Sequence, residues 1–145
     1  MKLQVYRLPW GKLPTQEPGS VGYDLYASED VDIPPASLRI IRLGLVVAPP
    51  PHWFVAIVPR SSTFKKLGLL QANSFGVIDP VYCGPDDEIG FPAYNPHHAT
   101  VSIETGEKIA QLFLLPIPDY TLEIMDRPPA GVTRGGWGST GGYAT

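Results

Sequence analysis

Cysteine is nearly absent from this chain of 145 residues, with Cys83 standing alone. No intrachain disulfide can form, cysteine-based zinc sites are excluded, and a reducing compartment such as the cytoplasm is the expected setting. Histidine is scarce too. His52, His97 and His98 have neither metal-ligand spacing nor a helix to carry them, and read as solvated loop residues. An excess of basic charge is also missing: 11 Lys and Arg stand against 14 Asp and Glu, for a net charge of -3. That balance gives no footprint for duplex DNA or RNA, so any nucleic-acid-like ligand is expected to be small. Long apolar runs are lacking, the best, Ile109 to Leu115, being interrupted by Gln111 and stopped by Pro116. A membrane helix needs about 18 such residues. The opening Met1 to Arg7 alternates apolar with polar residues and has no secretory apolar block, so it is expected to form the first strand of a soluble protein.

Turn formers are abundant. Gly 15 and Pro 17, in a chain that is 43% apolar, point to many short strands separated by turns and to an all-β class, a sandwich or jelly roll. Strands are expected at Lys2 to Leu8, Tyr23 to Ala27, Leu38 to Val47, Trp53 to Val58, Phe75 to Ile78, Glu88 to Asn95, Thr100 to Ile103 and Lys108 to Leu115. One short helical turn is expected at Thr63 to Leu67, capped by Ser61 or Ser62 and ended by Gly68. The length suits a single β domain over residues 1–126. From Arg127 to the end the composition turns glycine-rich, which suits a flexible arm in which Trp137 has nothing local to pack against.

The chemistry concentrates in Asn73 to Gly84, reading Asn-Ser-Phe-Gly-Val-Ile-Asp-Pro-Val-Tyr-Cys-Gly. It reads as a hairpin with Asp79 at a strand end, Tyr82 as an aromatic face, and Gly76 and Gly84 free to adopt backbone angles closed to other residues. Either this is a plain β-hairpin with a turn aspartate, or Asp79 is a general base beside a small planar ligand. Four other segments stand beside it. In Gly22 to Ala27, Asp24 lies early in a strand and, if buried, needs an arginine or a cation. Pro59 to Ser62 sets Arg60 and two hydroxyls at a strand-to-helix junction, suited to phosphate or to plain capping. In Gly106 to Leu112, Gln111 interrupts an apolar run and must bond either to backbone or to a ligand. The segment Arg134 to Gly141 offers Arg134, Trp137, Gly138, Ser139 and Thr140 either as a frayed terminus or as an arm over a flat ring and phosphates.

In their order and spacing these five segments resemble the five motifs of the trimeric deoxyuridine triphosphate nucleotidohydrolases (dUTPases), and the resemblance runs from about Gly19 to Gly142. It implies a distorted jelly-roll barrel, a homotrimer with sites at subunit boundaries, and Mg2+-dependent hydrolysis of dUTP to dUMP and pyrophosphate. Asp79 is then similar to the aspartate that activates the attacking water. Tyr82 is similar to the aromatic that packs on the sugar and excludes a 2'-hydroxyl. Asn73 with Gly76, Val77, Ile78 and Asp79 resembles the uracil-reading edge, while Arg60, Ser61, Ser62 and Gln111 resemble the phosphate contacts. Asp24 resembles an acidic residue that reaches the metal through water, the ion itself being held mainly by phosphates and waters. Trp137 stands where the family usually has phenylalanine, and Arg134, Gly138, Ser139 and Thr140 resemble the phosphate-closing arm.

The chain also departs from the pattern. Val81 replaces the acidic residue before the motif tyrosine, Pro85-Asp86-Asp87 is inserted after Gly84, and Arg134 lies only three residues before Trp137. Two other readings share the scaffold: a dCTP deaminase, and a non-catalytic nucleotide-sensing or protein-binding trimer. The deaminase needs a glutamate in the strand after the hairpin, and Ile89 to Asn95 has none.

Overall fold

Gly44 decides how the chain is divided into sheets. The apolar run from Leu38 to Val47 reads as one strand, but Gly44 takes φ 66 and splits it into β4 (Ser37–Arg42) and β5 (Leu45–Ala48). A positive φ costs glycine little and other residues more, so the chain turns a corner there and feeds two different sheets. β5 pairs with β1 (Gln4–Arg7), and β4 pairs with β9 (Gly90–Asn95).

The computed structural model describes residues 1–133; Arg134, Trp137, Gly138, Ser139 and Thr140 lie outside the described residues. Beyond the strands named above it contains β2 (Tyr23–Tyr26), β3 (Val31–Ile33), β6 (Trp53–Pro59), β7 (Leu70–Gln71), β8 (Gly76–Ile78), β10 (Val101–Ile103) and β11 (Lys108–Pro116). All pairings are antiparallel. The sheets run β1-β5, β10-β3, β2-β11-β6-β8 and β4-β9-β7. The all-β expectation holds, and the sheets enclose one core in which Leu25, Ile57, Phe91, Ile109 and Leu112 are buried. Burying one such side chain stabilises the fold by about 1.5–3 kcal/mol. β3 and β7 had no counterpart in the sequence reading, because strands of two or three residues leave no readable alternation.

The short helical turn forms at Thr63–Leu67, of π type, and closes on Gly68 at φ 69. Its expected serine cap does not form, since Ser62 makes no capping bond. The buried Thr63 hydroxyl does the tying instead, accepting from the Arg60 N–H (2.9 Å) and donating to the Ile109 carbonyl (3.0 Å).

The segment Asn73 to Gly84 is not a hairpin of two mutually paired arms. β8 pairs with β6, whereas β9 pairs with β4 and β7, so the two arms belong to different sheets. The expectation for Gly76 and Gly84 also fails, because among the described residues the positive-φ glycines are Gly19, Gly44, Gly68 and Gly106. Crowding is what favours glycine at these two positions. A Cβ on Gly76 would lie 3.1 Å from Ile57 Cβ and 3.2 Å from the Ile57 oxygen, and one on Gly84 would lie 3.0 Å from an Asp87 oxygen. The inserted residues close their own turn, in which the Gly84 N–H donates to the Asp87 carboxylate (2.7 Å).

Candidate active site

Three strands of the large sheet bring Asp24, Arg60, Lys108 and Gln111 together. Antiparallel register places Gln111 opposite Asp24 on one side of β11 and opposite Val58 on the other, so the end of β6, and Arg60 just beyond it, comes alongside. Asp24 is 9% exposed, and each of its carboxylate oxygens meets a cation: Oδ1 accepts from Arg60 Nε at 2.7 Å, and Oδ2 from Lys108 Nζ at 2.8 Å. The requirement read from the sequence, that a buried Asp24 be matched by an arginine or a cation, is thus met from within the chain.

Burial pushes the Asp24 carboxyl up, but the hydrogen bond from Lys108 and the charge and hydrogen bond of Arg60 together outweigh it and hold the group below the usual carboxylate range. Lys108 is pushed up in turn, by its bond to Asp24 first and to Glu17 second. A carboxyl depressed in the folded state stabilises the fold above its unfolded value of 3.8, and that contribution is lost as pH falls through the lower folded value. Asp24→Asn is therefore expected to be less stable than the wild type at neutral pH, with the gap closing as pH falls below the unfolded value of 3.8. Urea denaturation from neutral pH down through that range checks this, and a gap independent of pH would contradict it.

Gln111 donates from Nε2 to the Pro59 carbonyl (3.2 Å), and its Oε1 packs where Gly22 has no side chain; a Cβ on Gly22 would lie 2.7 Å from that oxygen. The motif glycine and glutamine thus fit one another across the strand pair. Ser61 is exposed and Ser62 half-buried beside them, with no capping bond from Ser62.

The other residues singled out from the sequence gather elsewhere. Among the described residues β8 is the edge of the large sheet, so its outer side carries N–H and C=O groups with no neighbouring strand there. Val77 and Asp79 are exposed and Ile78 is half-buried. The Tyr82 N–H donates to the Asp79 carbonyl (3.0 Å), and the Tyr82 hydroxyl to the Glu88 carbonyl (3.2 Å), with the residue 41% exposed. Asn73 lies in the turn leading into β8, where its Oδ1 accepts from Gln71 Nε2 (2.8 Å).

One chain does not unite these two groups. Gly76 faces Ile57 and Ile78 faces Val55, so Asp79 falls beside Phe54, six residues along β6 from Arg60. At ~3.3 Å per residue this is about 20 Å. Two participants were not singled out from the sequence. Lys108 reaches Asp24 only through the β2–β11 register and its bulge between Lys108 and Ala110, and Gln71 reaches Asn73 through a bend between sheets. Neither has a signal in the local sequence. Among the described residues no three His, Cys, Asp or Glu side chains cluster as a metal site, and no helix is long and apolar enough to cross a membrane.

Comparison with known proteins finds likeness along nearly the whole chain. Residues 9–141 match the dUTPase family model. The chain is 40% identical over 119 residues to the SPbeta prophage-derived deoxyuridine 5'-triphosphate nucleotidohydrolase YosS of Bacillus subtilis, covering 81% of this chain and 82% of that one. It is 36% identical over 152 residues to the deoxyuridine 5'-triphosphate nucleotidohydrolase of Mycobacterium marinum, covering 99% and 97%. Among solved structures, the dUTPase of Streptococcus mutans is similar with a TM-score of 0.75 at 26% identity, over 81% of this chain and 98% of that one. The Staphylococcus bacteriophage 80alpha dUTPase with dUPNHPP is similar with a TM-score of 0.82 at 25% identity, over 97% and 98%. With the fold shared along nearly its whole length and the sequence matched from the first turn to the glycine-rich end, the chain belongs to the dUTPase family.

Proposed function

We propose that the protein hydrolyses dUTP to dUMP and pyrophosphate, limiting uracil incorporation into DNA and supplying dUMP in a reducing cytoplasm. The observation that carries this reading is the Asp24–Arg60 ion pair at the end of β6, with the Ser61 and Ser62 hydroxyls beside it and Gln111 tied to Pro59. Arg60 holds Asp24 through Nε, so the terminal nitrogens of its fork are the part that meets phosphate oxygens, with Ser61, Ser62 and Gln111 donating around them. Asp79 accepts the proton of the attacking water, which adds to the α-phosphorus as the bond to the pyrophosphate oxygen breaks. Asn73 and the free edge of β8 from Gly76 to Asp79 read the uracil, since a fixed main-chain edge rejects a base whose donors and acceptors do not match. Tyr82 packs on the deoxyribose, and residues 127–145 close over the site, with Trp137 on the ring and Arg134, Gly138, Ser139 and Thr140 at the phosphates.

The donor set suits Mg2+ held by phosphates and water. Both Asp24 oxygens already accept from cations, and their remaining lone pairs can take a bond from a metal-bound water. When bound, the ion supplies charge neutralisation on the triphosphate.

The separation of about 20 Å between Asp79 and Arg60 supports a site whose two halves come from different copies of the chain, in a homotrimer. Past β11, Tyr120, Leu122 and Ile124 recur at every second position and are 71%, 86% and 94% exposed, as a strand would be before a partner covers it. Incubating the full chain with dUTP and Mg2+ tests the activity, with pyrophosphate and dUMP in equal amounts as the expected products. Ammonia release from dCTP would favour a deaminase, and binding of dUTP without turnover would favour a non-catalytic sensor.

A further inference from the structure

Gln71 has no assigned part in the chemistry, yet it is the most constrained amide near the proposed base-reading edge. It ends β7, where the chain leaves the β4-β9-β7 sheet and bends back to enter the large sheet as β8. Its side chain is 8% exposed, and Nε2 donates twice: to the Ile57 carbonyl at 3.1 Å and to Asn73 Oδ1 at 2.8 Å. The first bond fixes the second. A main-chain carbonyl can only accept, so the atom of Gln71 that faces Ile57 must be the nitrogen. That nitrogen carries a second hydrogen, and the atom of Asn73 that faces it must be the oxygen. The Asn73 carboxamide is thereby turned with Nδ2 away from Gln71.

The other half of Gln71 supports the same reading. Its Oε1 is buried and has no hydrogen-bond partner among the described residues. An amide with one end unpaired carries a desolvation cost that a side chain serving only to fill space would avoid. What the glutamine contributes is therefore its donor end. The main chain beside it is fixed too, the Ala72 N–H donating to the Pro92 carbonyl at 2.8 Å.

We infer that Gln71 is a positioning residue that sets the orientation of the Asn73 amide, so that a hydrogen-bond donor and not an acceptor is presented to a carbonyl oxygen of the uracil ring. Gln71 acts through Asn73 and touches no substrate. The inference rests on the proposal that Asn73 meets the base, and it adds the element that fixes which face of the amide the base meets. Chain geometry alone would leave an exposed asparagine free to turn over, and half of its orientations would oppose an oxygen to an oxygen.

A double-mutant cycle on the full chain tests this, with steady-state dUTP hydrolysis as readout. Gln71→Met keeps the volume and removes the donor. It is expected to raise KM about fivefold to tenfold with kcat held, because ground-state and transition-state binding of the base are weakened alike. Asn73→Ala should raise KM at least as much. In the Asn73→Ala background Gln71→Met should add nothing, since there is no amide left to orient. A purely structural glutamine would multiply KM by the same factor in both backgrounds, and that result would overturn the inference, as would an unchanged KM in Gln71→Met. If Asn73→Ala leaves KM unchanged, contact between Asn73 and the base is refuted and the inference falls with it, while hydrolysis of dUTP by the wild type still stands. Should Gln71→Met not fold, side-chain amide signals of the 15N-labelled wild-type chain decide. Addition of dUMP should shift the Asn73 NH2 signal while the Gln71 NH2 stays protected from solvent exchange. A Gln71 NH2 exchanging as fast as a surface amide would overturn the inference.

Discussion

Asp79→Asn lowers kcat for dUTP by about 10²–10⁴-fold, the usual contribution of a positioned general base, while dUTP binding stays close to that of the wild type. The substitution keeps the shape of the side chain and the turn that follows it, which is held by the Tyr82 N–H on the Asp79 carbonyl and not by the carboxylate. What is removed is the ability to take a proton from water, a step made only on the way to the transition state, so kcat and kcat/KM fall together. Pyrophosphate release under saturating dUTP, with binding of a non-hydrolysable analogue measured in parallel, checks both halves. Turnover near the wild-type rate would remove Asp79 from the chemistry.

Two variants inactive alone regain activity when assembled together. Arg60→Ala removes the cation at the proposed phosphate end of β6 and is expected to cost about 10²–10³-fold in kcat, in the range of a lost transition-state donor. Asp79→Asn disables the other end. In one chain these residues lie about 20 Å apart along β6, with Asp79 beside Phe54, so under the proposed homotrimer each site takes one from each of two copies. Co-expressed or co-refolded at equal amounts, the two variants should assemble with about a quarter of their boundaries pairing an intact Arg60 with an intact Asp79, if copies assort at random. Activity should rise to about a quarter of the wild-type level. A mixture no more active than its components would place both residues in one chain's site, and sedimentation showing a monomer would do the same.

The pieces of the candidate site were legible in the sequence because each is a local event. Gly68 ends a helical turn, Asp79 and Tyr82 stand in a Pro- and Gly-bounded segment, and Gln111 breaks an apolar run. The all-β class was legible for the same reason, since alternation and turn formers act over a few residues. Errors arose where a neighbour distant in sequence decides. Leu38 to Val47 has the pattern of one strand, and only the paths of β1 and β9 show why it must turn at Gly44. Gly76 and Gly84 suggested special backbone angles, but their surroundings are crowded by Ile57, Gln71 and Asp87. Ser62 looked like a cap because nothing local shows that the Thr63 hydroxyl has a partner at Ile109.

By itself, the sequence determined the β architecture, the single cysteine, and the five segments in the order that resembles the dUTPases. Tertiary structure alone decided which side chains meet. It set Asp24 between Arg60 and Lys108, turned the Asn73 amide by way of Gln71, and placed Arg60 and Asp79 toward opposite ends of one strand. The physical reason is range. Propensity and turn chemistry are fixed by neighbours along the chain, whereas pairing register is fixed by the fit of whole strands, and a shift of one residue reverses every side chain they carry.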